Sequence, residues 1–171
     1  MIVAICNGNG IGNTNSIPWY SPVDLKHFSK LTKTTINKDD MNAIIMGRKT
    51  WDSIPKKPLP KRFHIILTKK PELIDLTEKK YENCIALTST DEVERFCIEK
   101  NFANSWIIGG QSIYKEFMPL ANKLLITEID IVVEKPDTFF PAWNKEDWIE
   151  NSRIKSEENG IKYSFVEYLR D

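Results

Sequence analysis

The chain has 171 residues, of which 41% are hydrophobic and 28% are charged, and this composition suits one domain with a buried core. Its 24 basic and 24 acidic side chains give a formal net charge of zero, which excludes a general electrostatic attraction to nucleic acid or acidic membranes. No apolar stretch approaches the roughly 20 residues needed to cross a bilayer, and the start of the chain lacks the features of a signal peptide. We therefore expect a cytoplasmic protein that binds neither nucleic acid nor membrane.

Short apolar runs alternate with helical patterns along the chain. The runs are near-continuous rather than alternating, which is typical of a parallel sheet covered on both faces. Strands are predicted at 2–6, 43–46, 63–67, 84–87, 106–108 and 124–126, and helices at 22–31, 49–53, 90–100 and 112–118. Residues 161–169 alternate in part and predict a final antiparallel strand. The prediction is a single α/β domain over residues 1–171, with a mostly parallel central sheet, an antiparallel C-terminal strand and about four helices.

The cysteines Cys6, Cys84 and Cys97 form no CxxC pair, and each lies in or beside an apolar run. This spacing indicates neither a disulfide framework nor a metal site. We expect all three to be small, buried apolar side chains.

The first strand is followed by a glycine-rich segment from Asn7 to Trp19. Its glycines, Gly8, Gly10 and Gly12, allow close approach to a ligand or the movement of a lid. Their spacing is not that of a dinucleotide-binding fingerprint. By itself, the segment is better interpreted as an ordinary polar loop.

Two later strands end in glycine before a predicted helix. Gly47 is followed by Arg48, Lys49 and Thr50, a combination that suits an anion site but also a solvated basic turn. Gly109-Gly110 precedes Gln111 and Ser112, which suits close approach of a pyrophosphate but also a tight structural turn. Both alternatives stay open for each segment, although two such junctions in one small sheet favour a nucleotide site.

An acid lies at the start of the first predicted helix. Ser21-Pro22-Val23-Asp24 has the form of an N-terminal cap, in which Asp24 complements the helix dipole. Asp24 also precedes Phe28 by four residues, beside the predicted buried stripe of Leu25, Phe28 and Leu31. A carboxylate there needs a hydrogen-bonding partner or a raised pKa, and both suit a ligand-binding acid. From these residues alone, the cap is the preferred interpretation.

A series of short motifs runs along nearly the whole chain. They are Ile2-Val3-Ala4, Gly10-Ile11-Gly12, Ile17-Pro18-Trp19, Asp24-Leu25 with Phe28, the run from Met46 to Ile54, Pro58-Leu59-Pro60-Lys61-Arg62, Ile107-Ile108-Gly109-Gly110 with Tyr114, and Leu125-Ile126-Thr127. In this order they resemble the dihydrofolate reductase family. The resemblance implies an antifolate-sensitive oxidoreductase that reduces 7,8-dihydrofolate to 5,6,7,8-tetrahydrofolate with NADPH, for one-carbon metabolism and thymidylate synthesis.

The resemblance also implies catalytic roles. Asp24 would bind the amino-pyrimidine edge of the pteridine and assist protonation of the ring nitrogen through water. Thr127 would support Asp24, Trp19 would hold a water near the pterin, and Tyr114 would lie near the nicotinamide. Arg62 would bind the glutamate carboxylate in bidentate fashion. The other implied substrate-binding residues are Ile2, Val3, Leu25, Phe28, Ser53, Ile54, Leu59 and Ile108. Taken singly, the two aromatics would be core residues and Arg62 a solvated charge.

For the cofactor, the family pattern implies contacts with the nicotinamide, the adenosine and the pyrophosphate, and a cis bond between Gly109 and Gly110. The implied residues are Ala4, Gly10, Ile11, Gly12, Asn15, Ser16, Ile17, Gly47, Arg48, Lys49, Thr50, Leu67, Thr68, Lys69, Ile108, Gly109, Gly110, Gln111, Ser112, Ile113 and Tyr114. Gln111 departs from the third glycine of many relatives, and Asn7-Gly8-Asn9 is unusually polar.

Two other functions compete with dihydrofolate reduction. The reductase domain of riboflavin synthesis shares the fold and uses NADPH, but it would not require both Asp24 and Arg62. A binding module without turnover is disfavoured by the intact Asp24, Gly109 and Gly110. Because no thymidylate synthase portion is present in the sequence, we expect a monofunctional reductase, and we also expect a monomer.

Overall fold

Ten β-strands and four α-helices occur in the part of the chain that the structure describes, which is residues 1–13, 17 and 19–171 of a computed structural model. The strands are β1 (Ile2–Ile5), β2 (Gly10–Gly12), β3 (Asn42–Gly47), β4 (Arg62–Leu67), β5 (Cys84–Leu87), β6 (Ser105–Gly109), β7 (Lys123–Ile129), β8 (Thr138–Phe139), β9 (Trp148–Glu158) and β10 (Ile161–Arg170). The helices are α1 (Pro22–Lys33), α2 (Arg48–Ser53), α3 (Thr90–Glu99) and α4 (Gln111–Phe117).

The chain divides into two units, of which the second is Ser29–Ile113. Its sheet has the order β5-β4-β3-β6, and every neighbouring pair is parallel. The near-continuous apolar runs of the sequence fit this arrangement, because a parallel strand that is covered on both faces buries side chains at every position. On one face, Ile44, Met46, Trp51 and Ile66 form a buried cluster. On the other, the ring of Phe63 lies against those of Phe96 and Phe102.

The first unit comprises Met1–Phe28 and Tyr114–Asp171. Its larger sheet has the order β1-β7-β10-β9, with β1 parallel to β7 and the remaining pairs antiparallel. Leu124 and Ile126 of β7 are buried in its core. Strands β2 and β8 form a separate two-stranded antiparallel sheet.

The predicted α/β class is confirmed, with a parallel sheet, a mixed sheet and four helices in the described residues. That these elements form one domain stays a prediction. The sequence patterns did not predict β2, β8 or β9; most positions of β9 are exposed and polar, so it lacks the apolar alternation that marks a half-buried strand. The three cysteines are free, as expected, although only Cys6 is fully buried. None of the helices in the described part of the chain is long and apolar enough to cross a membrane.

Candidate active site

The carboxyl group of Asp24 is tied to β7 rather than to the end of its own helix. Ser21 caps α1, because its Oγ accepts a hydrogen bond from the Asp24 N–H at 3.1 Å. The Asp24 carboxyl receives a side-chain hydrogen bond from Thr127. Burial raises the pKa of Asp24 above its ordinary value, and the Thr127 bond partly opposes this rise. The first unit therefore contains a half-buried acid that is held by a hydroxyl, in addition to the Ser21 cap of α1.

Tyr114 of α4 lies close to this acid. Its hydroxyl donates a 2.9 Å hydrogen bond to the Ile2 carbonyl of β1. Burial, followed by the charge of Asp24, raises the pKa of Tyr114. Ala4 of β1 is the register partner of Thr127 on β7. The structure thus brings together Asp24, Thr127, Tyr114 and the first strand, which the sequence analysis had grouped only through the family resemblance.

The apolar stripe predicted for α1 is wrong at one position. Leu25 is 51% exposed, whereas Phe28 and Leu31 are half-buried. Thr32, seven residues after Leu25 on the same face, is buried, so this face is covered near the end of α1 but not at Leu25. Ile17, a predicted cofactor-binding residue, is 61% exposed.

The remaining predicted residues of the first unit have varied surroundings. Ile2 and Val3 are buried core residues, and Trp19 is half-buried. Gly10, Ile11 and Gly12 form β2. At Gly10, a Cβ atom would lie 2.9 Å from Cys6 Sγ, so this glycine is required for close packing. Asn15 and Ser16 lie outside the described residues.

In the second unit, three predicted nucleotide-binding segments follow the same edge of the parallel sheet. Gly47 of β3 pairs with Leu67 of β4, and Met46 pairs with Gly109 of β6. Because the strands are parallel and adjacent, the segments that follow them begin at one edge, where open α/β sheets bind ligands. These segments contain the predicted cofactor residues Arg48, Lys49, Thr50, Thr68, Lys69, Gly110, Gln111, Ser112 and Ile113.

The Gly109-Gly110 peptide bond is cis, as the family resemblance implies, and Gly109 has a φ of 121°. A Cβ atom on Gly110 would lie 3.7 Å from Thr50 Oγ1, so this turn and the start of α2 are neighbours. A Cβ atom on Gly47 would lie 3.1 Å from Ile113 Cγ1. The small residues therefore bring two backbone turns and a threonine hydroxyl close together.

The basic residues at this edge are exposed. Arg48 Nη1 lies 3.1 Å from Asp52 Oδ2 in an ion pair along α2. Lys69 Nζ donates to the Thr88 carbonyl at 3.4 Å, and Thr68 Oγ1 accepts the Lys70 N–H at 3.2 Å. Exposed contacts of this kind are weak, so these side chains can turn toward an anion at little energetic cost.

Arg62, at the start of β4, is a buried cation with only 4% of its surface exposed. Its Nε donates to the Pro60 carbonyl and its Nη1 donates to Thr32 Oγ1, both at 3.0 Å. Burial lowers the pKa of its guanidinium, although arginine stays protonated in proteins. Among the described residues, no acidic side chain forms an ion pair with Arg62. The two hydrogen bonds therefore hold the guanidinium of Arg62 in place, and the described residues supply no acidic partner for its positive charge.

The segment before Arg62 packs on the sheet. Ile54, Leu59 and Ile108 are half-buried against the cluster that contains Trp51. Ser53 is exposed and donates to the Thr50 carbonyl at 2.7 Å. The Lys57-Pro58 bond is cis. The Leu59 N–H donates a 2.9 Å hydrogen bond to His64 Nε2 on β4.

Two residues next to the predicted site were missed by the sequence analysis. Thr32 lies four residues after Phe28, and this helical spacing could have indicated that both residues share a face. His64 stands in the apolar run of β4, where no spacing signal distinguishes it from a core residue.

The chain is similar to known proteins over nearly its whole length. Residues 1–170 match the family model described as dihydrofolate reductase. The chain is 37% identical over 175 residues to the dihydrofolate reductase of Neisseria meningitidis serogroup B, covering 99% of this chain and 96% of the relative. It is 34% identical over 180 residues to the dihydrofolate reductase of Aedes albopictus, covering 98% and 95%. It also matches 33% of the length of a bifunctional dihydrofolate reductase-thymidylate synthase of Daucus carota, at 36% identity.

Proposed function

Because the chain belongs to the dihydrofolate reductase family, we propose that it reduces 7,8-dihydrofolate to 5,6,7,8-tetrahydrofolate with NADPH. Family members are oxidoreductases, and tetrahydrofolate supplies one-carbon metabolism and thymidylate synthesis. The observation that carries the proposal is the half-buried Asp24 carboxyl, which has a raised pKa and is held by Thr127. A helix cap explains neither feature, since Ser21 already caps α1.

Asp24 binds and orients the pteridine in this proposal. A carboxylate accepts two parallel N–H bonds from an amino-pyrimidine edge, which fixes the orientation of the ring. The raised pKa brings Asp24 closer to neutral pH, where an acid–base group is most effective. Asp24 thus favours protonation of the ring nitrogen, through water, beside the carbon that accepts the hydride. Thr127 limits the rise of the pKa and keeps the carboxyl in one orientation.

Arg62 binds the glutamate tail of the substrate. Its planar guanidinium can present two N–H donors to one carboxylate. Thr32 and Pro60 already hold the side chain in place, so little rotamer entropy remains to be lost on binding. A buried cation gains more from an incoming carboxylate than a solvated one does. Leu59 adds an apolar wall from the same segment.

The residues of the second unit fit NADPH. Gly110 carries no side chain beside the Thr50 hydroxyl, and Gly47 carries none beside Ile113, which suits the approach of a pyrophosphate. Arg48, Lys49, Thr68 and Lys69 supply the cations and a hydroxyl that suit the 2′-phosphate of the adenosine. When bound, NADPH supplies the hydride, and the chain supplies binding and alignment.

The direct test mixes the purified protein with NADPH and dihydrofolate and follows cofactor oxidation by absorbance. Oxidation that requires both compounds supports the proposal. Oxidation with a diaminopyrimidine precursor of riboflavin, but not with dihydrofolate, would support the riboflavin-type reductase instead. Binding of both ligands without oxidation of NADPH would support the third interpretation, a binding module without turnover.

A further inference from the structure

The segment Pro58-Leu59-Pro60 has only one backbone N–H donor. Proline has no N–H group, so the only amide hydrogen of this segment belongs to Leu59. That hydrogen is donated to His64 Nε2 at 2.9 Å. A second bond, from Arg62 Nε to the Pro60 carbonyl at 3.0 Å, joins the same segment to β4. The position of the segment on the sheet therefore depends on two side chains of one strand.

We propose that His64 is a positioning residue for the folate site, which fixes Leu59 and Arg62 through its hydrogen bond to the Leu59 amide. The proposal rests on the proposed function, because it takes Leu59 and Arg62 as substrate-binding residues. His64 itself does not touch the substrate in this proposal. It acts through the backbone of the segment that carries both binding residues.

The surroundings of His64 support a role beyond packing. Its side chain is fully buried, and its ring meets Trp51 edge to face at a centroid distance of 5.8 Å. The second ring nitrogen, Nδ1, forms no hydrogen bond of good geometry among the described residues, although the Arg62 backbone lies near enough to affect the pKa of the ring. An unsatisfied buried polar group is unfavourable for folding. A purely apolar side chain at position 64 would avoid that penalty. What an imidazole offers instead is an acceptor, Nε2, for the Leu59 N–H.

The imidazole must be neutral to act in this way. With Nε2 as the acceptor, the proton lies on Nδ1, whereas a protonated ring has no acceptor. Burial, followed by the charge of Arg62, lowers the pKa of His64 to about 4, and the nearby backbone of Arg62 raises it by a smaller amount. The hydrogen bond to Leu59 therefore persists at neutral pH.

The test compares three variants by steady-state kinetics with dihydrofolate and NADPH. His64→Leu removes the acceptor and also the unsatisfied Nδ1, so we expect it to fold. It should raise the KM for dihydrofolate about tenfold, as for one lost hydrogen bond, with kcat and the KM for NADPH changed less than about twofold. His64→Gln carries an amide oxygen at the reach of Nε2 and should restore most of the KM. Phe63→Leu, on the opposite face of β4, is the matched control and should lower stability without changing the KM.

Three results would overturn the proposal: an unchanged KM in folded His64→Leu, no rescue by His64→Gln, or an equal rise in Phe63→Leu. If His64→Leu does not fold, NMR of the parent protein decides. The proton must lie on Nδ1 of His64, and the Leu59 amide must be protected from exchange; a protonated Nε2 overturns the proposal. If the parent protein does not reduce dihydrofolate at all, the proposed function fails, while the NMR result still reports on the His64–Leu59 bond.

Discussion

Thr127 donates a hydrogen bond to the Asp24 carboxyl, and this bond acts against the burial that raises the pKa of the acid. The two effects have opposite signs, so the pKa of Asp24 is set by their difference. Burial alone would hold the carboxyl neutral over a wider pH range. The hydroxyl keeps part of the ionised form available to bind a cationic or N–H-rich ring edge.

Replacing Asp24 with Asn removes the charge while keeping the size and the Ser21 cap. We expect turnover of dihydrofolate at neutral pH to fall by roughly a hundredfold or more, because acid–base assistance is typically worth that much. The KM for NADPH should be almost unchanged. Asp91→Asn is the matched control, since Asp91 also lies in the first turn of a serine-capped helix and is exposed. Normal turnover by Asp24→Asn would show that Asp24 has a structural role only.

The same substitution should not destabilise the fold at neutral pH. The pKa of Asp24 is raised in the folded state, so between the unfolded and folded pKa values the folded chain binds more protons. The free energy of unfolding therefore falls as the pH rises through that window, and the charged carboxylate opposes folding above it. Thermal unfolding at neutral pH should give a Tm for Asp24→Asn equal to or above that of the parent. A clearly lower Tm would contradict the raised pKa.

Removing the hydroxyl of Thr127 should move the titration of Asp24 to higher pH. Thr127→Val keeps the shape of the side chain and deletes the bond that lowers the pKa, whereas Thr127→Ser retains the hydroxyl. The measurement is the carboxyl 13C shift of Asp24 against pH, assigned with the Asn variant, together with the pH profile of kcat/KM. Both midpoints should rise in Thr127→Val and stay close to the parent in Thr127→Ser. A midpoint that is unmoved in Thr127→Val would show that this bond does not control the pKa.

Arg62→Leu should mainly raise the KM for dihydrofolate. A bidentate charged contact is worth about 2 kcal/mol, which corresponds to a rise of roughly thirtyfold. The parent should discriminate against a pterin that lacks the glutamate tail, and the variant should treat both substrates alike. Arg95→Leu, which removes an exposed arginine of α3, is the control for loss of charge. Retained discrimination in Arg62→Leu would remove Arg62 from the tail site.

The parallel sheet could be predicted from sequence because its strands are apolar at nearly every position. Strand β9 could not, because its side chains are mostly exposed and polar, and its place is determined by backbone pairing with β10. The Leu25 prediction failed for a related reason. Helical spacing shows which residues share a face, but not whether protein covers that face.

The partners of the buried polar residues were harder to predict. Ser21 could be predicted as a cap because the N–H group that donates to its Oγ belongs to Asp24, only three residues later. The bond of Thr127 to Asp24 and that of Arg62 to Thr32 join segments far apart in the sequence. The family resemblance supplied the first pair but not the second. The His64–Leu59 bond depends on how the segment between them turns, which the residue pattern alone does not fix.

NADPH and NADH differ by one ribose phosphate, and we expect the chain to distinguish them at the edge of its parallel sheet. Arg48 and Lys49 follow Gly47 at the edge where Leu67 of the neighbouring parallel strand also ends, so Thr68 and Lys69 begin at the same edge. The exposed pair of Arg48 with Asp52 is weak enough to be exchanged for a phosphate. NADPH should therefore be preferred strongly at low salt and less so at high salt. The double variant Arg48→Ala with Lys49→Ala should shrink that preference and leave kcat/KM with NADH nearly intact. Lys79→Ala with Lys80→Ala removes two exposed charges from the same unit and should change neither value. An equal loss with both cofactors would instead assign Arg48 and Lys49 to folding.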